Sequence, residues 1–289
     1  MPASSRISDL GIAPLVLEAG MNNPQVADRP FVAGMYDYYL GGTANSAVDR
    51  AAVDAILAVL PEMRESAWAN RGFLQRAVKR MAEEWGIRQF LDIGAGLPTQ
   101  RHTHEVVAEV VPDGRVVYTD NDPQVITRGE RILADVEGAA VILGDIRKPE
   151  SILDHPETRR LIDFTKPVGL ILVSVTQFIP DAEDPWAVVR RYLDAVCSGS
   201  YLALSSPTGD NQSKRIVDRV RQIYAKTPTP GKPRTRAEVE RFFDELEIVS
   251  PYDGGEPAVT FVGQWGAEDV EAADDDGSRW FYAAVARKP

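Results

Sequence analysis

The chain has 289 residues, of which 44% are hydrophobic and 26% are charged, and its net charge at pH 7 is −11. The length suits one large domain, no apolar run approaches the roughly 18 residues of a membrane helix, and the negative charge argues against broad contact with nucleic acid, which is bound through clustered Lys and Arg. The single cysteine, Cys197, excludes an intrachain disulfide and a multi-cysteine zinc site.

The N-terminal part combines an irregular arm with two predicted helices. Residues 1–29 show little periodicity and predict an arm that is partly ordered against the body. They lack the basic segment and apolar run of a secretion signal, so we expect a cytoplasmic protein. Apolar residues at helical spacing predict helices over Ser46–Leu60 and Arg71–Trp85, which stop at Pro61 and Gly86.

From residue 87 onward, predicted strands alternate with predicted helices. This order is the βαβ pattern of a parallel sheet. Cys197 follows one of these helices and is more typical of a small packed residue than of a reactive thiol. The predicted strands are Arg88–Ile93, Val116–Thr119, Ala140–Leu143, Gly169–Val175 and Tyr201–Ser205, and the predicted helices are Thr99–Val111, Pro123–Leu133, Trp186–Ala195 and Ser213–Ala225.

The C-terminal part predicts an antiparallel finish to the sheet. After a proline-rich loop at residues 227–233, Thr235 caps a helix through Phe243, with Glu238 completing a capping box. Strands follow near Glu247–Ser250, Val259–Gln264 and Trp280–Ala286, and the last two form an antiparallel pair. The acidic stretch Ala267–Gly277 between them indicates a solvated hairpin loop rather than a metal site, because nothing fixes a ligand geometry.

These elements predict an α/β, Rossmann-like fold. We expect a seven-stranded, mostly parallel sheet with an antiparallel C-terminal strand pair and an N-terminal helical cap. Residues 1–86 would form the arm and a helical lid, and residues 87–289 would form the sheet domain. The two parts would make one structural unit. We predict no metal site.

A Gly-x-Gly turn and a later acid predict a nucleoside site. The run Phe90–Ile93 ends in Gly94-Ala95-Gly96, and the run Val116–Thr119 ends in Asp120, about 24 positions after Gly96. This gap is near the roughly 20 residues that separate a glycine turn from a ribose-binding carboxylate. Thr99 stands where a dinucleotide fingerprint has its third glycine, which makes NAD the weaker of the possible cofactors.

Acidic residues end three successive predicted strands. Asp92 lies near the end of the first, Asp120 ends the second, and Asp145-Ile146 follows the third. Ligands of open α/β sheets bind at the carboxyl ends of the strands. A carboxylate can accept the hydroxyl groups of a ribose or the edge of an adenine. The three acids therefore predict one ligand site.

Three groups of residues resemble the motifs of class I S-adenosylmethionine-dependent methyltransferases. They are Leu91–Gly96, Tyr118–Pro123 and Gly144–Ile146. More narrowly, Arg29-Pro30, Tyr36–Gly42, Asn45, Asp49-Arg50, Asn70-Arg71 and Gln89–Thr99 resemble a bacterial family of such proteins whose substrate is generally unassigned. The resemblance covers nearly everything after about residue 28.

The resemblance implies a set of residues that bind S-adenosylmethionine. The turn Gly94, Ala95 and Gly96 would pass beneath the methionine part, with Asp92 near its amino end. Asp120 would hold the ribose, Asn121 would lie beside the adenine, and Asp145 and Ile146 would contact the adenine edge. Val173 and Ser174 would face the methionine and the substrate opening, and the segment Tyr36–Asn45, with Tyr36, Tyr39 and Gly41, would form a lid over the cofactor. A packed helix with a glycine C-cap is the other interpretation of that segment.

The acceptor side is less well defined. Its candidates are Ser174, Thr176, Gln177 and Phe178 after the fourth strand, and Ser206, Pro207 and Thr208 after the fifth. The resemblance implies histidines where this chain has Gln177 and Ser206, and glutamine cannot accept a proton near neutral pH. His102 and His104 are more typical of surface or cap residues than of a base. No catalytic residue is assigned.

Three functions remain open. We predict a methyltransferase that uses S-adenosylmethionine and modifies a small molecule by in-line transfer. Such a transfer needs no dedicated base unless the acceptor must lose a proton on attack. The alternatives are a cofactor-binding regulatory or interaction protein with little or no catalysis, and an NAD-dependent dehydrogenase, which Thr99 disfavours. The sequence does not predict the oligomeric state.

Overall fold

The computed structural model describes residues 29–289, so the predicted N-terminal arm lies almost wholly outside the described residues. Its helices are α1 (Val32–Tyr39), α2 (Ala47–Leu57), α3 (Met63–Glu83), α4 (Thr103–Val110), α5 (Pro123–Ile132), α6 (Pro149–Leu153), α7 (Pro156–Leu161), α8 (Pro185–Ala195), α9 (Lys214–Tyr224) and α10 (Arg236–Glu240). Its strands are β1 (Gln89–Ile93), β2 (Arg115–Asp120), β3 (Ala139–Leu143), β4 (Gly169–Val173), β5 (Tyr201–Pro207), β6 (Glu247–Ile248), β7 (Thr260–Phe261) and β8 (Phe281–Arg287).

The strands form one mixed sheet in the order β3-β2-β1-β4-β5-β8-β6. The first five are parallel, and β8 runs antiparallel between β5 and β6. The two-residue strand β7 also pairs with β8, which brings the sheet to eight strands. This arrangement confirms the predicted α/β fold with its antiparallel C-terminal pair, and the eighth strand is the short addition.

Alternate residues of the central strands build two hydrophobic layers. Phe90 belongs to one layer and Leu91 to the other, and all five residues of β1 are buried. Such continuous burial is expected of parallel strands that are covered on both faces by helices. The centre of the sheet is therefore buried on both faces, and the ends of its strands carry the candidate site.

The N-terminal helices pack on the sheet and on each other. Helix α3 buries Phe73 and Val78 in the same layer as Phe90, and α1 contacts both α2 and α3. Ser46 caps α2 by accepting a hydrogen bond from the Asp49 amide, and the Asp49 carboxylate accepts one from the Ser46 amide. These helices cover the carboxyl edge of β1.

Several predicted boundaries were wrong, among them the end of α2, which lies at Leu57 rather than Leu60. Helix α3 begins at Met63 rather than Arg71, because the segment between Glu62 and Asn70 is also helical and buries Ser66 and Ala67. Strand β4 ends at Val173 rather than Val175, since Ser174 takes a left-handed conformation. Only Thr260–Phe261 of the strand predicted over Val259–Gln264 pairs with β8.

Another wrong boundary is the start of the helix after β1. It begins at Thr103 rather than Thr99, since Gln100 and Arg101 have φ of 61° and 53° and cannot belong to a right-handed helix. His102 caps it by accepting a hydrogen bond from the Thr103 amide, and Glu105 accepts one from the His102 amide. Residues 97–102 are thus a loop beside the glycine turn.

Three further findings concern the described residues 29–289. No helix there is both long enough and apolar enough to cross a membrane. Within the same part of the chain, no group of three or more His, Cys, Asp and Glu residues is arranged to hold a metal ion. Cys197 is a free, half-buried thiol just after α8.

Candidate functional site

A cavity of about 760 Å³ lies at the carboxyl ends of β1 to β5. Strands β1 and β4 are neighbours at the centre of the sheet. Strands β2 and β3 lie on one side of this pair and β5 on the other, so the cavity lies at the point where the strand order reverses. Open α/β sheets bind their ligands in the crevice at this point. Of the predicted cofactor-binding residues, all but Gly41 line the cavity.

The glycine turn brings main chain to the cavity floor. Gly94 and Gly96 have φ of 68° and 66°, and the amides of Gly94 and Ala95 both donate to the Thr119 carbonyl. A Cβ atom on Gly94 would lie 2.1 Å from Cγ2 of Val175. Only glycine fits there, for reasons of both conformation and space. The turn can therefore approach a ligand without a side chain intervening.

Asp120 lies at the end of β2 and faces the turn. Its Oδ2 accepts a hydrogen bond from the Gly96 amide at 2.9 Å, and its Oδ1 accepts one from the Asp122 amide at 3.0 Å. Burial raises the pKa of Asp120 to about 6, although these hydrogen bonds oppose the shift. The carboxylate keeps free lone pairs that could accept a pair of ribose hydroxyls.

Asp92 lies deeper, beneath the turn. It is 2% exposed, and its Oδ2 accepts a hydrogen bond from Thr103 Oγ1 at 2.6 Å. Burial raises the pKa of Asp92 to about 7, opposed by the Thr103 hydrogen bond and the charge of Arg71. A cationic group in the cavity would favour the ionised form of this carboxyl.

His102 has a structural role beside Asp92. Burial lowers its pKa well below the usual range, and the charge of Arg71 adds to this shift. Its Nδ1 accepts the Thr103 amide hydrogen bond, so the proton is on Nε2, which donates to the Ala95 carbonyl at 3.3 Å. Since the imidazole is neutral, its 3.6 Å approach to Asp92 is no ion pair. The histidine fixes the glycine turn and is a buried cap, not a surface residue.

The third strand end contributes Asp145 and Ile146. Asp145 accepts hydrogen bonds from Nε and Nη2 of Arg147, and that guanidinium lowers the pKa of the Asp145 carboxyl. The main chain of Ile146 is fixed because its carbonyl accepts a hydrogen bond from the hydroxyl of Tyr192. Asn121 lines the same side of the cavity and is exposed.

Helix α1 forms a wall of the cavity next to the glycine turn. The hydroxyl of Tyr36 donates to the Ala67 carbonyl and accepts from Nδ2 of Asn70, which fixes the ring against α3. Tyr39 also lines the cavity, and burial raises its pKa well above the usual range. Gly41 does not reach the cavity; with φ of 76° it ends the helix. The segment is therefore a packed helix with a glycine at its end, and the helix forms part of the cavity wall.

Thr99 ties this helix to the glycine loop. Its Oγ1 donates to the buried carboxylate of Asp37 at 3.3 Å, and Asn45 donates to the same carboxylate at 2.9 Å. A Cβ on Gly42 would lie 2.2 Å from Oδ1 of Asp37, so the second glycine gives room for this contact. Thr99, which stands where a dinucleotide fingerprint has its third glycine, thus connects two walls of the cavity.

Arg71 of α3 is a site residue that the sequence analysis did not select. It is 3% exposed, lines the cavity, and has no hydrogen-bond partner for Nε or Nη1 among the described residues. Its guanidinium lies 5.6 Å from the centre of the Tyr36 ring, and its charge acts on Asp92 and His102. A buried, unpaired cation is costly unless an anion joins it. The sequence placed Arg71 only in a motif, because helical spacing does not show which side of α3 faces a ligand.

The ends of β4 and β5 provide the far side of the cavity. Ser174, Gln177, Phe178, Pro207 and Thr208 line it. The remaining two acceptor-side candidates, Thr176 and Ser206, are fully buried and do not line it. Alternation along β5 accounts for Ser206, since the neighbouring Ser205 donates to Asn70 of α3 and accepts from the Ser174 amide.

The cavity thus combines a glycine turn, carboxylates at three strand ends and an unpaired arginine. A family model described as S-adenosyl methyltransferase matches residues 21–289 of the chain. The chain belongs to the S-adenosyl methyltransferase family. It is therefore a methyltransferase whose cofactor is S-adenosylmethionine, and the third open function, an NAD-dependent dehydrogenase, is set aside.

Two solved structures are similar to this methyltransferase along nearly their whole length. A DUF574 family protein from Streptomyces avermitilis MA-4680 is 40% identical with a TM-score of 0.83, and the match covers 91% of this chain and 99% of that one. A protein from Thermobifida fusca YX, assigned provisionally to the methyltransferases, is 39% identical with a TM-score of 0.82, and the match covers 92% and 98% of the two chains. A comparison with curated proteins gives no match.

Proposed function

We propose that this methyltransferase transfers the methyl group of S-adenosylmethionine to a small-molecule acceptor bound in the same cavity. The observation that carries the proposal is the extent of the cavity, which continues from the ends of β1, β2 and β3 to the ends of β4 and β5 and the start of β8. A volume of about 760 Å³ is near the upper part of the range for small-molecule sites. The first three strand ends would take the methyl donor, and the rest would take the acceptor.

The residues of the first half fit the methyl donor. Asp120 would accept the ribose hydroxyls, and Asp145 with Ile146 would contact the adenine. Asp92 would lie near the ammonium group, and the unpaired Nε and Nη1 of Arg71 suit the carboxylate of the methionine part. Each group of the donor would therefore have a partner of complementary charge or hydrogen-bonding character.

The protein would act mainly by positioning. The sulfonium of the donor supplies a built-in leaving group, so the chain needs to hold two molecules in line and exclude water. The ring of Tyr36, fixed by Ala67 and Asn70, would close the cavity above the reacting groups. Methyl transfer in such a site requires no titrating side chain when the acceptor already offers a lone pair.

Two measurements test this function. Calorimetry with S-adenosylmethionine and S-adenosylhomocysteine should show binding, and Asp120→Ala should weaken it. Donor with a labelled methyl group is then incubated with a cell extract separated into metabolite, protein and RNA fractions. We expect label in the metabolite fraction with the wild-type protein and much less with Asp120→Ala at the same donor concentration. Label confined to protein or RNA would contradict a small-molecule acceptor.

A second function has one observation in its favour. Among the described residues that follow β4 in the chain and line the cavity, none carries a carboxylate or an imidazole. A regulatory or interaction protein that binds S-adenosylmethionine without catalysis would need none. Donor binding without label transfer to any fraction would favour this alternative.

A further inference from the structure

The acceptor half of the cavity, which residues 173–281 line, is strongly apolar. Its surface is formed mainly by valine, proline and aromatic side chains, and the sole charged side chain among these described residues is the exposed Arg221. The uncharged polar side chains that line it are Ser174, Gln177, Thr208 and Thr229. The apolar members are Val173, Val175, Phe178, Pro180, Pro207, Val217, Val220, Tyr224, Pro228, Pro230, Pro233, Trp280 and Phe281. A bound acceptor must therefore have a largely apolar body.

One buried polar atom in this half has no partner among the described residues. Gln177 is 6% exposed and lines the cavity, and its Oε1 accepts no hydrogen bond from any residue of the described range. Its Nε2 donates to the Ser174 carbonyl at 2.8 Å and to Ser174 Oγ at 3.0 Å. These two acceptors fix the amide orientation, so the oxygen and not the NH₂ group is left for a ligand.

The backbone around Gln177 is held in place. Ser174 has φ of 56°, a conformation that is uncommon for a residue other than glycine, and its amide donates to the carbonyl and Oγ of Ser205. The Gln177 carbonyl accepts a hydrogen bond from the Lys232 amide of the proline-rich loop. The unpaired Oε1 is therefore a preformed acceptor for one N–H or O–H group.

The chemistry of the lining discriminates between an N–H and an O–H group. A hydroxyl must lose its proton to become a good nucleophile, and the described residues that line the acceptor half include no base for that step. An amine attacks through its lone pair, and burial in an apolar pocket favours its uncharged form. An uncharged amine can thus react here while one of its N–H groups binds a glutamine oxygen.

We propose that the methyl acceptor is an uncharged amine nitrogen on an apolar small molecule, and that Oε1 of Gln177 accepts a hydrogen bond from it. The proposal rests on the proposed function. The nitrogen lone pair forms the new N–C bond as the bond between methyl carbon and sulfur breaks. The electron pair of that bond stays on sulfur, the positive charge passes to nitrogen, and the nitrogen then releases a proton to water.

Three probes of equal shape test the proposal. They are 1-aminonaphthalene, 1-naphthol and 1-methylnaphthalene, and each is titrated at pH 7.5 into the protein saturated with S-adenosylhomocysteine. We expect the amine to bind about five- to tenfold more tightly than the methyl compound, which corresponds to one hydrogen bond. With the labelled methyl donor, product should form from the amine and not from the naphthol.

The variant Gln177→Leu isolates the contribution of Oε1. It should remove the preference for the amine over the methyl compound and leave the affinity for S-adenosylhomocysteine within about twofold. The matched control Gln222→Leu makes the same change on the exposed side of α9 and should keep the preference.

Several results would overturn the proposal. They are equal binding of amine and methyl compound, methylation of the naphthol in preference to the amine, no binding of any probe, and an unchanged preference in Gln177→Leu. In each of these cases retained binding of S-adenosylhomocysteine would leave the proposed function standing, and loss of that binding in the wild-type protein would refute the proposed function itself.

Discussion

Replacement of Arg71 by methionine tests how the cavity holds the methyl donor. Methionine keeps an unbranched side chain of similar reach and removes the charge. Nε and Nη1 of Arg71 have no partner within residues 29–289, so hydrogen bonds to the donor's carboxylate would be new on binding. Hydrogen bonds to a charged group are worth about 1.5–3 kcal/mol, which predicts a tenfold to roughly hundredfold loss of affinity for S-adenosylhomocysteine.

A second compound locates this loss on the ligand. 5′-Methylthioadenosine keeps the adenosine and the thioether sulfur but lacks the amino-acid part. Calorimetry should therefore show that Arg71→Met binds it with nearly wild-type affinity. An equal loss for both compounds, or unchanged affinity for S-adenosylhomocysteine, would refute the assignment of Arg71 to the carboxylate.

Arg76 provides the matched control on the same helix. Its Nε donates to the Trp265 carbonyl at 2.7 Å and its Nη2 to the Val262 carbonyl at 2.9 Å, and it does not line the cavity. Arg76→Met should lower the melting temperature and leave both affinities unchanged. Arg71→Met should leave the melting temperature of the unliganded protein equal or higher, because it removes an unpaired buried cation. A large drop in melting temperature for Arg71→Met would show a structural role instead.

Three further predictions follow from the same contacts. Asp120→Ala should weaken the binding of S-adenosylhomocysteine and of 5′-methylthioadenosine alike, by about tenfold to a hundredfold, since both compounds carry the ribose. A wild-type affinity for either compound, measured by calorimetry, would count against a role of Asp120 in binding the ribose. The affinity for the cationic S-adenosylmethionine should rise from pH 5.5 to 8, because Asp92 and Asp120, with pKa values raised to about 7 and about 6, become anionic in this window. The free energy of unfolding of the unliganded protein should fall over the same pH range, because the folded state binds more protons than the unfolded state. Asp92→Asn should flatten both pH curves, and curves parallel to those of the wild-type protein would argue against Asp92. Gly42→Ala should destabilise the fold by about 1–3 kcal/mol, because its Cβ would collide with Asp37. Gly41→Ala should cost only about 1 kcal/mol of backbone strain, since nothing lies near its Cβ position. Thermal melts in which Gly41→Ala is the less stable of the two variants would refute the contact with Asp37.

The position of the first three strand ends at the cavity could be predicted from the sequence because the signals are local. Gly94, Gly96 and Asp120 lie next to their strands, and parallel strands bring their carboxyl ends to one edge whatever the details of packing. Thr99 shows the limit of such reasoning. It weakened the dinucleotide interpretation correctly, yet its bond to Asp37 joins residues 62 positions apart, which no local pattern reveals.

The acceptor half could be predicted only in part. Gln177 and Ser206 were both candidates, and the cavity contains one of them. The two differ because a left-handed residue, Ser174, ends β4 early and turns Gln177 toward the cavity, while Ser206 alternates to the other face of β5. The backbone conformation at a strand end decides such orientations, and it cannot be predicted from the residue types alone.

The sequence by itself determined the α/β order, the glycine turn, the acids of three strand ends and the family. These depend on hydrophobic periodicity and short motifs, which are encoded within a few neighbouring residues. The tertiary structure alone decided that Arg71 faces the cavity without a partner, that His102 fixes the glycine turn, and that Oε1 of Gln177 is left free in an apolar half. Each of these depends on which groups distant segments bring together, because a polar atom is unpaired only when the whole fold has been assembled around it.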